Sequence, residues 1–290
     1  QLSGLTPKLE MAEFFLELFS EEIPAGLQKN LREKLLDQFQ KFFFEKSIKS
    51  KKSFTFSTPN RLIIVFEGLD KQIKTSSEEI KGPKTNAPEQ ALEGFMRSNN
   101  IKKNDLFTNK TDKGEFYFFK KKSETLNTHD LLENLIPKLL ENYQWKNSMR
   151  WGEFKLNWGR PLKSILSVFD KKVVSFQFYH ISSSNLTFID KDFEEKKRVF
   201  KDFKSYEKFF KKEGILISHN KRKEFIEKQF SKILSKKNLS IKDNPKLLNE
   251  VVDLVDSPNV LLCSFDKKFL SIPKEILTLT MEIHQKYFPI

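Results

Sequence analysis

Glu13-Phe14-Phe15-Leu16-Glu17-Leu18-Phe19-Ser20-Glu21-Glu22-Ile23-Pro24 is an aromatic, apolar run halted by a polar stop that closes on proline. The run over 13–19 suits a β-strand. Ser20 or Glu21 can cap a helix that follows, and Pro24 suits its first turn. In that helix Leu27, Leu31, Leu35, Phe39 and Phe42 recur at helical spacing and form one apolar stripe, ended by the basic loop 46–52. Two further strands, 54–58 and 61–66, are broken at Pro59-Asn60, where Pro lacks a donor and Asn tolerates turn geometry.

Downstream, Lys81-Gly82-Pro83-Lys84 reads as a loop. Residues 88–99 read as a helix with Ala91, Leu92, Phe95 and Met96 on one face, and 115–121 as a strand. Residues 128–143 read as a helix capped by Thr128 or Asp130, with Leu131, Leu132, Leu135, Leu139 and Leu140 as its stripe. Ser148-Met149-Arg150-Trp151-Gly152 is irregular, and 162–169 with 173–179 form a hairpin through Asp170-Lys171-Lys172. After Asp190 the segments 203–212, 219–234, 245–255 and 273–287 are mostly helical, interrupted by the short apolar run 260–265. Strands and helices mix without a regular βαβ rhythm, so the expected class is α+β: a mixed, mainly antiparallel sheet with packed helices, then a mostly helical region. The expected divisions are a leader or tag remnant at 1–10, an α+β domain over 11–195, and a helical region over 196–290, with the boundary in the charge-rich stretch 191–201.

The 290 residues carry a net charge of +13, which makes a polyanion a reasonable partner: nucleic acid first, an anionic membrane second. The surplus is concentrated, since 191–240 holds 16 Lys/Arg against 8 Asp/Glu. The alternative is a solvated basic face. Cys263, the single cysteine, lies in the apolar Val260-Leu261-Leu262-Cys263 and is expected to be buried and inert. It leaves no disulfide and no cysteine pair for zinc, which fits a reducing, cytoplasmic compartment. No apolar run approaches the roughly 18–20 residues that span a bilayer, and residues 1–10 carry no signal-peptide pattern.

Motifs for self-contained chemistry are missing. With 9 glycines, none is spaced to cradle a phosphate, and there is no Gly-x-Ser-x-Gly elbow. His129-Asp130 superficially resembles the pair of metal phosphohydrolases, but it lacks the further His and Asp ligands, and a helix cap accounts for it. The stronger signals are basic and aromatic. Two Trp, two Arg and two Gly fall between Arg150 and Arg160, where Arg offers a fork to phosphate and Trp a face for an unpaired base. The residues alone favour the alternative, in which Trp151 and Trp158 plug a core edge while the arginines pair with carboxylates such as Glu153. Lys221-Arg222-Lys223 opens a helix on which Lys221, Lys228 and Lys232 share a face that could track a phosphate backbone. His284-Gln285-Lys286-Tyr287-Phe288 is dense in polar and aromatic groups; the alternative there is an amphipathic helix whose Ile283, Tyr287 and Phe288 pack.

Taken in order, several segments resemble the β subunit of bacterial two-subunit glycyl-tRNA synthetase. Residues 15–25, with Glu21-Glu22-Ile23-Pro24, resemble its opening strand and Glu-Glu-(Ile/Leu)-Pro. Thr58-Pro59-Asn60-Arg61-Leu62 resembles its Thr-Pro-x-Arg-Leu, and Gly82-Pro83 with Ala91 to Phe95 its Gly-Pro … Ala-x-x-Gly-Phe. Met149-Arg150-Trp151-Gly152 with Arg160-Pro161 resembles its Met-Arg-Trp-Gly … Arg-Pro. Leu247-Leu248, Ser257-Pro258, Phe265-Asp266, Phe269-Leu270, Pro273 and His284 to Phe288 keep the family order.

The resemblance implies one chain of a two-α, two-β ligase that joins glycine to tRNA(Gly). ATP, Mg and the bond-making would lie on the α subunit, and β would chiefly bind tRNA and α. It further implies an N-terminal portion of a longer β subunit, with no catalytic residue, metal or cofactor of its own. The family's Thr-x-Gly-His-Arg-Phe is not kept: Thr187-Phe188 is followed by Ile189-Asp190-Lys191-Asp192-Phe193, and Asn60 stands where the family has Arg. The expected tRNA contacts are Arg61, Arg150, Trp151, Arg160, Lys221, Arg222 and Lys223; His284, Gln285 and Tyr287 are expected to meet RNA or a subunit. The competing expectation is a scaffold that docks α with little RNA contact, using Trp151, Trp158 and 284–288 as anchors.

Overall fold

The computed structural model describes residues 10–189 and 197–290. The leader reading and the missing Gly-His-Arg element therefore fall largely outside the described residues, as does the expected 195/196 boundary. The chain forms two compact units, one of residues 72–128 and one of the remainder.

The larger unit opens with β1 (Met11–Ser20), α1 (Ala25–Glu45), β2 (Lys52–Thr58) and β3 (Arg61–Asp70). β2 and β3 form a hairpin closed by Pro59-Asn60, with Thr58 opposite Arg61, and β3 pairs antiparallel with β1. β1 lacks polar alternation because helices cover both of its faces. Phe14 meets Phe39 of α1 at 5.7 Å between ring centroids, whereas Phe15, one residue on and therefore on the opposite face, meets Tyr206 at 4.9 Å. The buried stripe of α1 is Gln28, Leu31, Leu35, Phe39 and Phe43 rather than one running from Leu27 to Phe42. Phe43 wins the inward place because its ring sits edge-on to Phe66 at 4.8 Å. Pro24 stands just before α1, and no side chain caps it; Ser20 instead ends β1.

Residues 72–128 hold β4 (Gln72–Lys74), β5 (Glu78–Lys84), α2 (Glu89–Asn99), β6 (Leu106–Thr111), β7 (Gly114–Lys121) and β8 (Thr125–Asn127). The strands make an antiparallel sheet in the order β5-β7-β6 and a separate β4-β8 ribbon. Lys81 to Lys84, expected as a loop, belongs to β5, and the register against β7 shifts between them. Gly82-Pro83 sits at that irregularity, where a residue lacking a donor is tolerated. Gly82 also admits a neighbour: a Cβ there would lie 2.7 Å from the Phe95 ring.

The chain continues as α3 (Thr128–Glu141), β9 (Leu162–Phe169), β10 (Lys172–Val173), β11 (Gln177–Phe178), β12 (Ile181–Ser184), β13 (Leu186–Phe188) and β14 (Lys197–Val199). The main sheet has the order β11-β12-β9-β1-β3-β2. The hairpin after β9 turns tightly at Asp170-Lys171, both at positive φ, but its return arm pairs only through Lys172 and Val173. Residues 173–179 are thus not one strand: β11 pairs with β12, which lies parallel to β9.

Then follow α4 (Phe203–Lys212), α5 (His219–Lys237), α6 (Pro245–Leu254) and α7 (Lys274–Ile283). Asp202, Ser218 and Asn244 cap the first three by accepting backbone N–H groups. α4 is no part of a separate helical domain. Tyr206 and Phe210 share a core with Phe15, Ile63, Val65, Leu166 and Val168 of the sheet. Residues 260–265 form no regular element, and Cys263 is exposed, against the expectation of burial, because its neighbours Leu261 and Leu262 are exposed with it.

Two charged networks lie inside this unit, and they correct two expected RNA contacts. Arg61 is 1 % exposed, and its Nε lies 3.2 Å from Glu17 Oε2. Its guanidinium stacks over Phe19 and Phe210 at 4.6 and 4.7 Å and donates to the Phe188 carbonyl. Thr187 and Tyr206 donate their hydroxyls to the same carboxylate. Burial pushes the Glu17 carboxyl above its ordinary value, opposed by Arg61 and these hydroxyls, and pushes the Tyr206 phenol well up.

Arg222 is fully buried. It donates to the carbonyls of Val252 (2.8 Å), Leu216 (2.7 Å) and Ser57 (3.0 Å), and lies 3.3 Å from Asp253 Oδ1. Burial brings its pKa down to about 10, against the pull of Asp253. The Asp253 carboxylate also meets His219 Nδ1 at 2.7 Å, and its carbonyl accepts from Gln28 of α1 at 2.6 Å. Neither guanidinium reaches solvent, so neither can touch a phosphate.

Glu17→Gln is expected to cost about 3–5 kcal/mol, because it strands a buried cation, whereas Glu17→Gln with Arg61→Met should recover much of that loss. Urea denaturation of both variants checks this; equal destabilisation by the single and the double change would contradict it. Arg222→Ala leaves three carbonyls and a carboxylate short of a donor and should lower stability by at least about 3 kcal/mol in the same measurement.

Candidate nucleic-acid interface

With Arg61 and Arg222 inside, the remaining expected contacts are distributed over three surfaces of the larger unit. The first is the loop between α3 and β9. It is closed by an antiparallel bridge between Met149 and Trp158, whose backbones exchange hydrogen bonds of 2.8 and 3.0 Å. Trp158 faces inward at 2 % exposure, packed against Tyr143, Trp145 and Phe178 at centroid distances of 5.0–5.6 Å, so it offers no face to a base. Gly159 is required by this packing, because a Cβ there would come within 1.8 Å of the Trp145 ring. The Trp-Gly-Arg-Pro segment is therefore a packing motif at its Trp and Gly. Arg160 is half-buried and donates to the Glu22 carbonyl at 2.9 Å, tying the loop to the stop after β1.

Beyond the bridge the loop opens. Arg150, Glu153, Phe154 and Lys155 are exposed, and Trp151 is half-buried with its ring 6.0 Å from His180. Among the described residues, Arg150 and Lys155 make no ion pair. Gly152 adopts φ +56°, which turns the chain back so that Phe154 N–H can donate to the Trp151 carbonyl at 3.3 Å. Phe154 then lies flat on His180, with centroids 3.6 Å apart and planes 10° from parallel. Phe154, Tyr179 and His180 were missed from sequence. The one available signal was an apolar Phe between Glu153 and Lys155, and it did not reveal a partner 26 residues away.

The second surface is α5. Lys221, Lys228 and Lys232 are all exposed, as their shared face requires, but Lys221 is paired with Glu207 at 2.6 Å. Lys223 is half-buried.

The third surface is the C-terminal segment. His284, Gln285 and Tyr287 are exposed beyond α7, which ends at Ile283. Lys286 at φ +56° reverses the chain, so that Phe288 packs on Phe230 at 4.9 Å while Lys286 pairs with Glu250 at 2.8 Å. On α7 itself Ile276, Leu279 and Ile283, which share a face, are 56, 57 and 52 % exposed.

Among the described residues, one group could hold a metal in principle: His129, Asp130 and Glu133 bring their ligand atoms within 4.8 Å of one another. It sits at the N-terminal turn of α3, where the positive end of the helix dipole disfavours a cation. His129 Nε2 also meets the Val173 carbonyl at 3.0 Å, and Glu133 accepts from Ser175 N–H at 3.2 Å. We assign no metal to it. Among the described residues, no helix is long and apolar enough to cross a membrane.

Comparison with known proteins agrees with the family resemblance. The family model described as glycyl-tRNA synthetase beta subunit matches residues 14–290. The glycine–tRNA ligase beta subunit of Rickettsia akari (strain Hartford) is 38 % identical over 278 residues, covering 96 % of this chain and 42 % of the relative. Those of Rickettsia felis and Rickettsia typhi are also 38 % identical, over 280 and 278 residues, with the same coverage. The chain thus spans well under half the length of these relatives. On the match over residues 14–290 and the identity to these relatives, the chain belongs to the glycyl-tRNA synthetase beta subunit family.

Proposed function

We propose that this chain is an RNA-holding part of a glycine–tRNA ligase, supporting ATP-dependent glycylation of tRNA(Gly) whose bond-making, ATP and Mg lie on a separate α-type subunit. The observation that carries the RNA role is the open half of the 149–158 loop, where Arg150 and Lys155 stand exposed, without an ion pair among the described residues, next in sequence to Trp151 and Phe154. Free cations are what a phosphate backbone needs, since each contact releases condensed counterions and adds to the salt dependence of binding. Lys228 and Lys232 extend the positive surface on α5. The net charge of +13 favours encounter with any polyanion.

A second reading has its own support. The open apolar face of α7, with exposed Tyr287 beyond it, has the character of a protein interface rather than of a phosphate surface. In that reading this face docks the α-type subunit.

Filter binding of tRNA(Gly) at about 50 and 200 mM salt tests the first reading: affinity should fall steeply, by about one power of salt per phosphate contact. Arg150→Glu with Lys155→Glu should weaken binding at least tenfold and flatten that slope by about two, with the melting temperature unchanged because both side chains are exposed. Binding that ignores salt, or an unaltered double variant, would defeat the RNA role. Ile276→Glu with Leu279→Glu should abolish pull-down of the α-type subunit and spare RNA binding if the second reading holds as well. Glycylation by this chain without that subunit should be undetectable.

A further inference from the structure

We propose that Phe154, His180 and Tyr179 form a stacking site for one unpaired nucleobase of RNA, with Arg150 and Lys155 placed to hold the phosphates on either side. This rests on the RNA-holding reading above and deepens it, moving the aromatic contact from the tryptophans to a site assembled from two separate loops.

The geometry points there for three reasons. First, Phe154 is covered on one face by His180 at 3.6 Å, yet remains 43 % exposed, so much of the residue stays open to solvent. A flat aromatic ring supported from behind and open in front is what a base stacks on, in a sequence-tolerant way. Trp151, edge-on to His180 with centroids 6.0 Å apart, buttresses the support ring.

Second, the partner loop holds an unfavourable backbone. β11 and β12 pair Phe178 with Ile181, so Tyr179 and His180 are the two turn residues. Tyr179 sits at φ +53°, a conformation that Gly or Asn adopts readily and a bulky ring does not. Its ring is nevertheless 46 % exposed and touches Phe178 at 5.2 Å, so core packing does not explain why Tyr stands there. The turn is braced by Gln177, which donates to the Tyr179 carbonyl at 2.8 Å and accepts from the Ser182 hydroxyl at 2.6 Å. A strained, braced and exposed aromatic marks a place where function competes with stability.

Third, the charge is complementary. The loop from Met149 to Trp158 carries Arg150 and Lys155 against a single carboxylate, Glu153. The cations flank Phe154 and Trp151 in sequence and have no ion-pair partner among the described residues.

The test uses two RNA probes of identical stem, one blunt and one with a single-stranded tail, titrated by fluorescence anisotropy at low salt. The tailed probe should bind wild type more tightly. Phe154→Ala should weaken the tailed probe about tenfold or more and leave the blunt one unchanged. Tyr179→Gly should raise the melting temperature, since it relieves the turn, and still weaken the tailed probe. That opposite movement is not expected of a residue with a purely structural role. If both variants bind the tailed probe as wild type does, the stacking site is overturned and the RNA-holding reading survives. If wild type binds neither probe at low salt, the RNA-holding reading falls and takes this site with it. If the variants lose the α-type subunit while keeping RNA affinity, the face is a protein interface and the proposal is overturned.

Discussion

Glu17 and Arg61 meet diagonally across neighbouring central strands inside an aromatic layer, and the arrangement of the larger unit follows from keeping that pair satisfied. A carboxylate in such a place is costly to ionise, which is why its pKa is raised. It is tolerated because Arg61, Thr187 and Tyr206 converge on it from β3, β13 and α4. The pair also pins register. A slip of one residue in β1 would turn Glu17 toward the phenylalanines of α1, where no partner waits, so the wrong pairing is penalised heavily. Aromatic residues on both faces of the sheet supply the bulk of the stability, but most of their packing would tolerate small shifts that this polar point does not.

Arg222 plays the corresponding part at the edge. It joins α5 to β2 and α6 through the carbonyls of Ser57 and Val252 and holds Leu216 just ahead of α5, while Asp253 beside it is tied to α1 through Gln28. The two networks have a shared effect on the surface. They remove two arginines from the surface, where exposed cations remain on loops and on the outer face of α5. Arg150 and Lys155 lie where the backbone departs from regular structure.

Local chemistry was legible wherever it acts over a few residues. The Pro59-Asn60 turn, the bounds of α4 and the starts of α5 and α6 follow from turn and capping residues close in sequence. Arg61 and Arg222 were misplaced because their residue type speaks for the surface, while what buries them comes from residues far along the chain: Phe188 and Tyr206 for one, Ser57 and Val252 for the other. Gly82-Pro83 reads as a loop by composition and is a strand irregularity by pairing. Val260-Leu261-Leu262-Cys263 illustrates the opposite error, since an apolar run states a preference for burial without naming a cover. Of the candidate site, Arg150 was visible in the sequence and Lys155 was not singled out; the Phe154–His180 stack was hidden, because only the fold brings those two loops together.

The ribbon of β4 and β8 has a consequence for how the main sheet assembles. It pairs Gln72 with Asn127, so the chain leaves residues 72–128 beside the point where it entered them. β9 must find β1 after a long excursion from the end of β3, and more than half of that excursion lies within 72–128. Once those residues have folded they behave as a clasp, and the flexible tether that must close is shortened to less than half. On polymer grounds each halving of such a tether lowers the entropic cost of closure by about 0.6 kcal/mol. The inserted unit thus shortens the search its host must make, whatever else it does in the finished protein.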